Sequence, residues 1–104
     1  MFMREYELYV PLLYNDGRPI EQEKLRQLKA RLVSEFGGLT HFPQENEGLW
    51  KVGSFTFRDK IVIFRVLSID LVKADQFFRR LKLEMKADWQ QEDVLIIERE
   101  VKAI

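Results

Sequence analysis

The segment "KIVIFRVLSID", Lys60 to Asp70, constrains the fold most, because seven of the nine residues from Ile61 to Ile69 are apolar. Read as a strand, its side chains alternate between faces: Ile61, Ile63, Arg65, Leu67 and Ile69 point one way, and Val62, Phe64, Val66 and Ser68 the other. Neither set suits water, so both faces of the sheet that contains this strand need cover.

The pattern on either side of it supplies cover for one face. "EYELYVPLLY", Glu5 to Tyr14, alternates Tyr6, Leu8, Val10 and Leu12 with Glu5, Glu7, Tyr9 and Pro11, then meets the turn residues Asn15, Asp16 and Gly17. This is the first predicted strand. A helix is predicted from about Pro19 to Phe36, with Leu25, Leu28, Leu32 and Phe36 at helical spacing and a stop at Gly37-Gly38. Leu39 to Phe42 is read as a short extended piece, followed by a polar loop that contains Pro43, Asn46 and Gly48. Leu49 to Arg58 is rich in β-favouring residues and is predicted to pair with the Lys60 segment through a tight reversal at Arg58-Asp59. Asp70 can cap a second helix that ends near Asp88, with Ala74, Phe77, Phe78, Leu81 and Met85 forming one buried stripe. Asp93 to Val101 reads as the last strand.

The order β-α-β-β-α-β is the ferredoxin-like split βαβ of the α+β class, a single domain over residues 1–104 with both helices on one face of an antiparallel sheet. Tyr6, Leu8, Val10, Leu12, Val62, Phe64 and Val66 form the helix-facing layer. Ile61, Ile63, Arg65, Leu67 and Ile69 are then left on the far side, where an antiparallel sheet in contact with water would show polar residues. The expected partner is a second copy of the chain, its far face meeting Ile61, Ile63, Arg65 and Leu67, so that two stacked sheets form a dimeric α/β barrel. Arg65 has two readings on that face. One is an ion pair with a glutamate of the neighbouring first strand, which fixes register; the other is a ligand site in which the guanidinium holds a carboxylate or phosphate.

Composition removes several functions. Seventeen basic residues balance seventeen acidic ones, so no global field gathers nucleic acid or anionic lipid. There is no cysteine, which rules out thiolate metal sites, disulfides and cysteine nucleophiles. One histidine and no spaced carboxylate cluster give no metal site, and nothing calls for a cofactor. The N-terminus shows no leader pattern and no apolar run reaches membrane-spanning length, so the expected location is cytoplasmic. An RNA-recognition reading of "LYVPLL" and "KVGSFTF" fails on position, because Phe55 and Phe57 fall on the second predicted strand rather than the third. Arg79, Lys82 and Lys86 read as a solvated helix face.

The most distinctive local pattern is "FGGLT", Phe36 to Thr40, followed by "GLW", Gly48 to Trp50. With "YVPLLYNDGRPI" and "KIVIFRV" it resembles a family of small, uncharacterised bacterial proteins, a ferredoxin-like domain of unknown function. The resemblance implies a fold more than a chemistry, since its landmarks are turn-formers and one aromatic anchor. Two functions follow from the residues. The first is a homodimeric binding or assembly module that uses the sheet face or the loop from residue 39 to 50. The alternative is a small cofactor-independent enzyme of the dimeric α/β-barrel type, monooxygenase- or isomerase-like, with His41 as catalytic proton carrier, Trp50 as apolar wall and Arg65 as anion holder. One pocket lined by those three side chains is what the enzyme reading expects.

Overall fold

A computed structural model describes all residues, 1–104. Its elements are β1 (Phe2–Pro11), α1 (Gln22–Phe36), β2 (Thr40–Val52), β3 (Phe55–Ser68), α2 (Leu71–Asp88) and β4 (Ile96–Lys102). The sheet runs β2-β3-β1-β4 with every neighbouring pair antiparallel, so β1 and β3 are central and the fold is ferredoxin-like. No helix is long and apolar enough to cross a membrane.

α1 stops, and α2 starts, where the terminus is chemically satisfied. Gly37 adopts φ +80° and its N–H bonds the Val33 carbonyl at 2.8 Å, a left-handed cap that a side chain would oppose. Asp70 caps α2 by accepting the Lys73 N–H at 3.0 Å. The helical stripes Leu25, Leu28, Leu32 and Ala74, Phe77, Phe78, Leu81, Met85 are buried against Tyr6, Leu8, Val10, Val62, Phe64 and Val66. Tyr6 stacks on Phe78 at 4.4 Å between centroids, and Phe36 stacks on the same ring at 5.3 Å. Each such side chain contributes about 1.5–3 kcal/mol through burial, so this layer dominates the stability of the fold.

The middle of the chain departs from expectation. Residues 43–48, read as a polar loop, belong to β2, and the reversal lies at Gly53-Ser54 rather than Arg58-Asp59. Gly53 has φ +61°, the conformation that a glycine at the first position of a two-residue hairpin supplies. Phe55 and Phe57 therefore sit on β3, not on the second strand, which removes the positional objection to an RNA-recognition surface. They lie beyond the Pro11–Ile61 pair where β1 ends, away from Tyr9, and the balanced charge still weighs against it. A bulge absorbs the polar residues: Phe42 pairs Ile63 and Asn46 pairs Ile61, so four residues of β2 advance against two of β3. Pro43 is tolerated because β2 is an edge strand and one side needs no N–H donor. The other bounds shift by a few residues: β1 ends at Pro11 rather than Tyr14, and α1 begins at Gln22 rather than Pro19.

Candidate functional site on the far face of the sheet

The register fixes what the helix-free face presents. Glu5, Glu7, Tyr9 and Pro11 of β1 lie opposite Leu67, Arg65, Ile63 and Ile61 of β3, while β4 sets Arg99 against Glu5 and Ile97 against Glu7. The face divides into a charged half and an apolar half.

In the charged half, two carboxylates lie between two guanidiniums. Arg65 contacts Glu5 through Nε and donates to Glu7 at 2.8 Å, while Arg99 approaches Glu5 at 3.5 Å and Glu7 at 3.2 Å. Both glutamate side chains are only 11% exposed, and the two guanidiniums offset what burying them costs. The hydrogen bond from Arg65 holds the Glu7 carboxyl below its ordinary value against the opposing effect of burial, with the Arg99 charge assisting. The Phe42 ring lies 4.8 Å from the Arg65 guanidinium and covers its face. Two positive and two negative groups cancel, so the Arg65 guanidinium is already matched by carboxylates of its own chain, as the ion-pair reading expects.

In the apolar half, the face sinks into a concavity of about 570 Å³. Tyr9, Pro11, Ile61, Ile63 and Leu95 line it, and Trp50 forms a wall. The indole is held at both its edge and its face: Nε1 donates to Asp59 Oδ2 at 2.6 Å, and the ring stacks on Phe57 at 4.8 Å and 22°. Asp59 and Asp93 bring two carboxylates to the same lining, the latter also 3.3 Å from Lys82, whereas Glu47 pairs Lys60 across the ladder and turns its carboxylate toward Arg58 on the other side. Burial opposes the Asp93 charge, but the Val94 N–H and Lys82 outweigh it and hold that carboxyl below its ordinary value. The volume lies in the range of small-molecule sites.

His41 is elsewhere. It pairs Phe64 across the β2–β3 ladder, which places it on the helix-facing side, edge-on to the Phe64 ring at 4.9 Å. Its Nε2 is buried without a hydrogen-bond partner, and burial, with Lys29 nearby, pushes its pKa down. Arg65 and Trp50 share the far face but stand eight β3 positions apart through the Trp50–Phe57 pairing, about 25 Å along the strand. The structure thus does not gather His41, Trp50 and Arg65 into one pocket. Of the residues expected on the far face, Ile61 and Ile63 are half-buried and form the floor, and Leu67 is 48% exposed. Tyr9, Asp59 and Asp93 are site residues that the sequence reading missed; it gave Tyr9 and Asp93 only strand positions and assigned Asp59 to a turn. "VGSF" was the better turn signal, since Gly-Ser between two β-favouring runs marks a two-residue hairpin.

No protein-family model matches the chain, and no relative is found among curated protein sequences. Among solved structures, the chain is similar to a phage SAM lyase in complex with S-methyl-5′-thioadenosine, with a TM-score of 0.71 at 13% identity, over 94% of this chain and 81% of that one. At that identity the likeness concerns the fold.

Proposed function

We propose that the chain is a small cofactor-independent enzyme that takes a nucleoside-class molecule into the far-face concavity. The observation that carries this reading is the indole of Trp50, fixed by Asp59 over an apolar floor with carboxylates around it. The rings of Trp50 and Tyr9 offer faces to a planar heterocycle, and Asp59 and Asp93 offer acceptors to hydroxyls or to a positive centre. The same carboxylates repel phosphate, so a nucleoside or a sulfonium nucleoside fits better than a nucleotide. The similarly folded phage lyase, solved with S-methyl-5′-thioadenosine, supports a thioether nucleoside as the first ligand to try. This chemistry moves the candidate site away from His41 and Arg65 and keeps Trp50.

The test is calorimetric titration with S-methyl-5′-thioadenosine and with S-adenosylmethionine, plus chromatography for any product of the latter. Saturable binding that Trp50→Ala and Tyr9→Ala each weaken by about tenfold or more is expected, since a stacked ring is worth about 1–3 kcal/mol. Absence of binding and of turnover at millimolar concentrations would overturn the reading.

A further inference from the structure

The β2–β3 hairpin runs beyond the rest of the sheet. β1 leaves β3 at the Pro11–Ile61 pair, and from Asp59 back to Phe55 the only strand beside β3 is β2. Two strands alone are marginal in water, and this arm has a marked sidedness. On the side continuous with the far face, Trp50 pairs Phe57 and Val52 pairs Phe55; on the other side Lys51, Thr56 and Arg58 accompany Leu49. Phe55 is 72% exposed and Val52 53%, although both lie in line with the apolar floor of the concavity. Nothing within the chain covers them.

We propose that the apolar side of this arm packs on the far face of another copy of the chain, so that each copy's arm roofs its partner's concavity. The roofing rests on the ligand reading above; the contact itself does not. Three observations select a second copy. Arm and face point the same way, so a twofold axis between two copies places each arm over the other's face and satisfies both apolar surfaces at once. The charges of Glu5, Glu7, Arg65 and Arg99 cancel within the chain and Trp50, Val52, Phe55 and Phe57 on the apolar side of the arm carry none, so neither repels its counterpart on an identical copy, while a nucleic acid or an acidic membrane would find no excess positive charge there. The size also suffices. Four strands of about seven residues give on the order of 400 Å² of projected sheet, and the arm adds roughly 150 Å². With side-chain relief this approaches the scale of a stable interface, about 800 Å² per partner.

The test is light scattering over a dilution series for the wild type, Phe55→Lys, Val52→Lys and a control, Leu83→Lys, at an exposed apolar position on α2. The wild type and the control are expected at a multiple of the 12.5 kDa subunit mass, twice that being the smallest closed assembly. The arm variants are expected to dissociate, with affinity weakened about 30-fold or more, as for an aromatic anchor at an interface. Because both arm positions are exposed within the chain, circular dichroism should be unchanged in these variants. A wild type that stays monomeric at every concentration, or an oligomer that survives both arm substitutions, would overturn the proposal. A monomer that still binds S-methyl-5′-thioadenosine would reject the arm contact and keep the site, while an arm-dependent oligomer that ignores the nucleoside would do the reverse.

Discussion

Phe64 and Ile63 are neighbours on one strand, yet one is fully buried beneath two helices and the other is half open in a concavity. The two faces of this sheet have different tasks. The helix side packs like any domain core, with interlocked aromatic rings and an aspartate cap on α2. The far side has no cover within the chain, and it carries an indole fixed by an aspartate, a neutralised four-charge cluster and an apolar arm. Apolar residues appear on both faces, so hydrophobicity alone does not separate core from site; what separates them is the polar groups interleaved with them.

The contrast is broken or upheld most directly by a pair of truncations. Phe64→Ala should cost about 3–5 kcal/mol in denaturant unfolding, because it empties the middle of the core. Ile63→Ala should cost about 1 kcal/mol at low protein concentration, since that side chain has already kept part of its contact with water. An equal cost for both, growing with protein concentration, would show that the far face is buried in an assembly as thoroughly as the core is within the chain.

Next in size is Arg65→Met. A ligand-holding arginine could be replaced with little change in stability, whereas an arginine that balances Glu5 and Glu7 cannot. Loss of about 1–3 kcal/mol is expected, reduced from the fully buried case because the guanidinium is partly solvated. The same pairing sets a sign with pH. Glu7 has a depressed pKa in the fold, so its contribution is complete above the ordinary carboxylate value and is lost as pH falls through the folded one. Arg65→Met should flatten that acid limb, and an unchanged limb would mean that the pair is not what holds the carboxylate down.

Gly53→Ala probes the arm. No neighbour lies within 4 Å of the added methyl, so the cost, about 1 kcal/mol, comes from the positive φ alone. It should appear as weaker hydrogen-exchange protection confined to residues 49–58, with the helix-side core unaffected.

These regions were not equally legible. The α2 stripe and the Tyr6, Leu8, Val10 row could be read directly, because helical and strand periods differ and each ran unbroken. β2 could not, because Pro43, Asn46 and Gly48 look like loop residues, and an edge strand with a bulge is the one setting in which a ladder accepts them. That single misreading misplaced the turn, took Asp59 out of the site and let His41 and Trp50 be imagined together. The two are nine residues apart; in a continuous strand an odd spacing puts them on opposite faces, and the bulge here, with its even offset of two extra residues, preserves that parity.

The smallest expected effect tests that placement of His41. Its folded pKa lies below the ordinary 6.5, with burial as the main cause, so the unfolded chain binds the proton more readily. Protons taken up on unfolding make stability rise with pH: the contribution is complete above 6.5 and is lost as pH falls through the folded value. His41→Phe should remove the slope in that window and leave the Glu7-dependent acid limb intact, because the two groups occupy opposite faces of the sheet. A histidine on the far face, in water beside Trp50, would show no such slope, and its replacement would change ligand binding instead. Persistence of the slope in His41→Phe would therefore overturn the assignment of this imidazole to the helix-covered side.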